Sequence, residues 1–190
     1  MLLHLQENPM SFNRDNNSEK CKSTALRYVA MQIKTEGQIE DYLKRKSFDP
    51  ENIKEAIEYL RDYNYVNDSQ YCVSYYREAC LKGKGRRRIE QELLNKKVRK
   101  DVIKDALDNF ISEDNPDYVE IIEEAGNEKE RALAVGQKML RQHLELGKEA
   151  DKNFMAKVGR RLISLGYDNH VLYSVIGILM KEGRVQDEEY

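Results

Sequence analysis

Ile39-Glu40-Asp41-Tyr42-Leu43-Lys44-Arg45-Lys46-Ser47-Phe48-Asp49-Pro50-Glu51-Asn52-Ile53-Lys54-Glu55-Ala56-Ile57-Glu58-Tyr59-Leu60 carries its apolar pattern at Ile39, Leu43, Phe48, Ile53, Ile57 and Leu60. The steps are 4, 5, 5, 4 and 3. Steps of three and four keep side chains on one helix face, whereas a step of five does not. The stretch therefore predicts a helix, a tight turn plugged by Phe48, and a second helix. The same steps recur through Ile89, Leu93, Val98, Ile103, Leu107 and Phe110, and through Val158, Leu162, Tyr167, Leu172, Ile176 and Leu179. Repetition at this scale sets the architecture before local propensity does.

A further helical stripe precedes each set: Leu26, Val29, Ala30 and Ile33; Cys72, Tyr75, Tyr76 and Ala79; Ala132, Val135, Gly136 and Met139. Each stands at i, i+3, i+4 and i+7, the signature of an amphipathic helix. The gap to the following set varies, as loops do. The unit is thus a three-helix module, present three times. Thr35-Glu36-Gly37-Gln38 reads as a capping box. Asp49-Pro50 places an acceptor at an N-cap and proline at the first helical position. Gly166 suits the left-handed residue that ends a helix. Ser47 and Lys97 stand at the matching places, where a side chain costs about 1 kcal/mol. Those two turns are expected to be less rigid or differently shaped.

Alternating β-branched runs are absent, so the expected fold class is all-α. The expected organisation is a mobile N-terminal segment over 1–24, repeats over 25–66 and 67–111, an acidic linker over 112–127, a third repeat over 128–183, and a tail over 184–190. Charged residues make up 35% of the 190, which suits an elongated body with much surface. No apolar run approaches membrane length, and Met1 to Leu5 is too short for a signal-peptide core. Cys21, Cys72 and Cys80 are odd in number and lack metal spacing, which points to a reduced, cytoplasmic protein without a metal.

The formal net charge of −2 hides an asymmetry. Lys82 to Lys104 holds ten basic and three acidic residues, and Ile111 to Glu130 holds eight acidic and one basic. Lys82, Lys84, Arg86, Arg87 and Arg88 surround Gly83 and Gly85 and run into a helix N-terminus. Cations there oppose the helix dipole by about 0.3–1 kcal/mol each. The arrangement reads either as an anion site, with side chains and free backbone donors converging, or as a solvated basic turn. Lys96, Lys97, Arg99 and Lys100 lie near a helix C-terminus, where cations are favoured anyway. The tyrosines from Tyr59 to Tyr76 can stack on bases, but Tyr75 and Tyr76 fall on a packing stripe. Catalytic patterns fail: His143-Leu144-Glu145 lacks a following Pro-Cys-x-x-Cys, and Gly147-Lys148 lacks the rest of a phosphate loop. No cofactor and no enzyme activity are expected.

Gly85-Arg86-Arg87-Arg88-Ile89 through Glu92-Leu93, after Asn67-Asp68 and Tyr71, resembles the central signature of the RecX family, bacterial regulators of the recombinase RecA. Ala25-Leu26-Arg27-Tyr28, Tyr65-Val66-Asn67-Asp68 and Arg160-Arg161-Leu162 to Gly166-Tyr167 match it too. The resemblance covers roughly 25–180. The sequence departs from it at Ser47 and Lys97, where glycine is usual, and at Arg87, where proline is common. The resemblance implies three tandem three-helix repeats in a curved body that binds RecA and the RecA–DNA filament. It implies modulation, usually inhibition, of RecA's ATPase, strand-exchange and coprotease activities, hence a role in recombination, DNA repair and the SOS response. Candidate RecA or DNA contacts are Lys82, Lys84, Arg86, Arg87, Arg88, Lys96, Lys97, Arg99 and Lys100. A monomer with weak DNA binding is expected. The competing reading is a DNA-binding helical module acting without RecA.

Overall fold

The computed structural model describes residues 9–187, with side chains from 16 to 183. The parts of the expected N-terminal segment and tail at 1–8 and 188–190 lie outside the described residues. Ten helices and no strand occur among the described residues: α1 Pro9–Met31, α2 Glu36–Arg45, α3 Pro50–Asp62, α4 Asp68–Leu81, α5 Arg86–Asn95, α6 Lys100–Phe110, α7 Pro116–Ala125, α8 Glu128–Leu144, α9 Lys152–Ser164 and α10 Asn169–Asp187. The all-α expectation holds. Helices α1–α3, α4–α6 and α8–α10 are the three modules.

Contacts divide the chain into two compact units. The first holds α1–α3 with residues up to Tyr71 and the segment Asn95–Val102; the second holds Cys72–Leu94 and everything from Ile103 onward. In the first, α1 packs across α3 and α2. Cys21, Ala25, Ile39, Leu43, Ile53, Ala56, Leu60 and Val66 form its core. In the second, α10 packs on α8 and α9, over Ala132, Leu140, Phe154, Met155, Val158, Leu162, Tyr167, Leu172, Val175 and Leu179. Burying a leucine or isoleucine of this kind contributes about 1.5–3 kcal/mol. Of the repeated apolar positions, Phe48, Ile57 and Ile176 are half-buried and every other is buried. The register read from the sequence is therefore the register of the core.

Four expectations need correction. The sequence reading takes residues 1–24 as a mobile segment, but α1 begins at Pro9, Cys21 is fully buried, and the Ser18 hydroxyl donates to Glu55 at 2.6 Å. The buried residues of α1 are small, Ser18, Cys21 and Ala25, which permit close approach to α3, and Leu26, Tyr28 and Val29 pack beside them. The expected stripe is displaced: Ile33 lies beyond the helix and is 78% exposed. The acidic linker contains α7, whose Ile121 is buried and whose Tyr118 ring lies 6.0 Å from Phe110 and 6.4 Å from Tyr76. Tyr118, Ile121, Ile122 and Ala125 form a helical stripe that the surrounding carboxylates concealed. The tail expected from residue 184 is helical to Asp187.

The turns, in contrast, are alike. Ser47, Lys97 and Gly166 have φ of 61°, 67° and 87°. Ser47 N–H donates to Lys44 O at 2.9 Å and Phe48 N–H to Leu43 O at 3.3 Å; Gly166 and Tyr167 repeat this with Ile163 O at 2.9 Å and Leu162 O at 3.2 Å. These are helix-ending bonds around a left-handed residue. Ser47 accepts the left-handed strain and keeps the bonded shape of the Gly166 turn, and Lys97 shares the left-handed φ, so the expectation of a differently shaped turn fails at Ser47.

Candidate functional site

The basic cluster begins at the N-terminus of α5, and the structure supplies the acids that its sequence lacks. Thr35 and Gly85 precede the middle helices of repeats one and two at equivalent positions. The Thr35 hydroxyl donates to Lys96 O at 2.6 Å, and Gly85 N–H donates to Leu165 O at 2.8 Å. Each middle helix thus starts against the turn of the following repeat. Asp68 then accepts Glu36 N–H at 2.9 Å, and Glu128 accepts Arg86 N–H at 2.9 Å. Arg87 N–H goes to Gly166 O at 3.3 Å and Arg88 N–H to Gly85 O at 3.1 Å. The backbone donors expected to be free for an external anion are therefore occupied within the chain. A carboxylate at this N-terminus also offsets the dipole conflict set up by three arginines.

The side chains divide sharply. Arg86 Nε donates to Glu90 at 2.8 Å, and its Nη2 pairs with Asp108. Arg88 donates to Glu92 at 2.8 Å, and Lys84 donates to the same carboxylate at 2.7 Å. Tyr75 adds a third bond to Glu92, also at 2.7 Å. Burial raises the Glu92 carboxyl, but the bonds from Lys84, Tyr75 and Arg88 outweigh it and hold the group down at about 2. Glu92 is 15% exposed, so this is a part-buried hub that ties the loop to α5. Lys82 pairs with Glu78 at 3.3 Å across solvent. Lys97 reaches Asp41 at 3.5 Å, and Arg99 reaches Asp101 at 3.1 Å, both on the surface. The Lys96 carbonyl serves the repeat junction. Arg87 and Lys100 are exposed, and neither side chain has a partner among the described residues.

Helix α9 was missed as a candidate. Lys152, Lys157, Arg160 and Arg161 are all exposed, the helix contains no acid, and none of the four joins an ion pair among the described residues. Lys157, Arg160 and Arg161 flank the stacked pair of His143 and Phe154, whose rings lie 4.2 Å apart. The signal was legible as four cations without a carboxylate in thirteen residues. It is weaker than the denser basic run that starts at Lys82. No group of metal-ligating side chains occurs among the described residues, and no helix there is long and apolar enough to cross a membrane.

Comparison with known proteins places this arrangement. Residues 21–60 match the RecX first three-helix domain, and residues 67–107 match the RecX second three-helix domain. The Regulatory protein RecX of Clostridium perfringens (strain 13 / Type A) is 34% identical over 158 residues, covering 83% of this chain and 67% of that protein. That of Clostridium beijerinckii is 34% identical over 165 residues, covering 86% and 70%. The crystal structure of RecX from Lactobacillus salivarius shares the fold, with a TM-score of 0.70 at 22% identity over 87% of this chain and 97% of that one. By sequence over most of its length and by repeat structure, the chain belongs to the RecX family of regulatory proteins.

Proposed function

We propose that this protein is a non-enzymatic regulator that binds RecA or the RecA–DNA filament and suppresses its ATPase, strand-exchange and coprotease activities. The observation that carries the reading is its relation to proteins named Regulatory protein RecX across most of the chain. The three-helix repeats support it, because a chain of repeated modules suits a partner that is itself a filament of repeated subunits. Among the sequence candidates, Arg87 and Lys100 are the residues best placed to contact a partner. Lys84, Arg86 and Arg88 hold α5 and its loop together and act by positioning Arg87. The protein works as a monomer in the cytoplasm, a compartment that suits three buried cysteines in no disulfide.

The second reading is binding to DNA without RecA, which the unpaired cations of α9 favour. Fluorescence anisotropy with a labelled oligonucleotide, bare or coated with RecA, separates the two. Tighter binding to the coated strand, weakened by Arg87→Gln, is expected. Equal or tighter binding to the bare strand would replace the regulator reading with the DNA-binding one.

A further inference from the structure

A groove of about 490 Å³ opens in the first unit between α1 and the α2–α3 turn. Its volume is within the range of small-ligand sites, about 300–1,000 Å³. Three exposed cations line it: Lys20 and Arg27 from α1, and Lys46 from the end of α2. None joins an ion pair among the described residues; Lys46 instead lies over the Tyr42 ring at 5.6 Å. Asp49 is the one carboxylate among the described lining residues.

Two further observations point to a ligand. Asn52 lines the groove at 5% exposure, and its carboxamide has no hydrogen-bond partner among the described residues. Its amide atoms are not among the buried polar atoms without a partner, so they keep access to solvent from an otherwise buried residue that lines the groove. The groove also meets the N-terminus of α3, whose N-cap residue Asp49 makes no side-chain cap bond. At the corresponding ends of α2, α7, α8 and α9, Thr35, Asn115, Asn127 and Asp151 do cap. Pro50 at the start of α3 has no N–H, and Ile53 N–H donates to Asp49 O at 3.0 Å, so this end brings the positive end of the helix dipole to the groove at Asn52. Unpaired cations, an amide without a partner in a nearly buried residue and the positive end of a helix dipole together make the chemistry of an oxyanion site.

We propose that this groove binds a phosphate group, held by Lys20, Arg27 and Lys46, with the Asn52 amide as a neutral donor and the α3 dipole behind it. The phosphate comes from either a free nucleotide or a nucleic-acid strand. The test uses the full chain without RecA, so its outcome is separate from that of the filament reading. Backbone amide NMR shifts are followed during titration with inorganic phosphate, dTMP and an unphosphorylated oligo(dT).

Saturable shifts at Lys46, Asn52 and Ile53 are expected. Response to phosphate and dTMP identifies a free phosphoryl ligand, and response to the oligonucleotide alone identifies the strand. Lys46→Gln and Arg27→Gln, checked for an unchanged melting temperature, should each weaken the response. For the oligonucleotide, each should lower the slope of log K against log salt by about 0.7. Lys46→Gln also serves if Arg27→Gln fails to fold. No saturable shift with any probe, or binding unchanged in Lys46→Gln, would overturn the proposal.

Discussion

Glu128 accepts the backbone N–H of Arg86 at 2.9 Å from forty-two residues away, and Asp68 does the same for Glu36 from thirty-two. Both acids stand at the first residue of the next repeat's first helix. The anion that the basic run seemed to await is thus supplied by the chain itself. One device, used twice, fixes where each middle helix begins.

Asp68→Asn and Asp68→Ala separate the parts of this device. Burial raises the Asp68 carboxyl above its usual 3.8, and the Glu36 N–H offsets only part of that. A raised folded value means that the ionised form opposes folding at neutral pH, a cost relieved as pH falls through that value. Asparagine keeps an acceptor without the charge. Asp68→Asn should therefore match or exceed the parent's stability at pH 7, while Asp68→Ala should lose about 0.5–2 kcal/mol with the cap. Denaturant melts check both, and equal losses would show that the charge itself is needed.

Gly85 and Gly177 form a contrasting pair. A Cβ at Gly85 would lie 2.6 Å from the Gly166 carbonyl carbon and oxygen, which are backbone atoms that do not move aside. Gly177 lies in α10 with nothing within 4 Å of its added Cβ. Gly85→Ala should destabilise by about 1–3 kcal/mol. Gly177→Ala should stabilise by up to about 1 kcal/mol. Thermal unfolding of the two variants measures the difference.

Ser47 holds φ at 61° on an exposed turn without a side-chain bond among the described residues. Ser47→Gly removes the left-handed strain and should raise stability by about 0.5–1 kcal/mol, after allowance for glycine's greater freedom in the unfolded chain. A loss of stability would mean that the serine contributes something other than strain.

Glu92 gives the fold an acid-sensitive element. Its carboxyl is held at about 2 against a usual 4.5, so its stabilising effect is full above 4.5 and is lost as pH falls toward 2. Glu92→Gln should cost about 1–3 kcal/mol at pH 7. The gap from the parent should close as pH approaches 2, and denaturant melts across this range follow it. A gap that stays constant with pH would remove the charge from the explanation.

The repeated core was legible because large apolar residues at fixed spacing admit one helical register. Ile39, Leu93 and Leu162 are buried as read. The end of α1 was legible from Leu26 and Val29, but its earlier turns were not, because the face they bury is Ser18, Cys21 and Ala25, residues too small to stand out as a stripe. Helix α7 was hidden by charge, since its stripe of Tyr118, Ile121 and Ile122 lies among acids. The cluster at Arg86 to Arg88 was visible as composition, but its meaning depended on Glu128 and Asp108, distant acids that only folding brings near. Of that candidate set, Arg87 stands out through a property no sequence shows: its neighbours are paired and it is not.

RecA ATPase on single-stranded DNA, followed across a titration with this protein, tests the central claim most directly. Hydrolysis should fall as the protein approaches the RecA concentration. Arg87→Gln should shift the titration to higher protein concentration without lowering its own melting temperature. Hydrolysis unchanged across the whole titration would contradict the account.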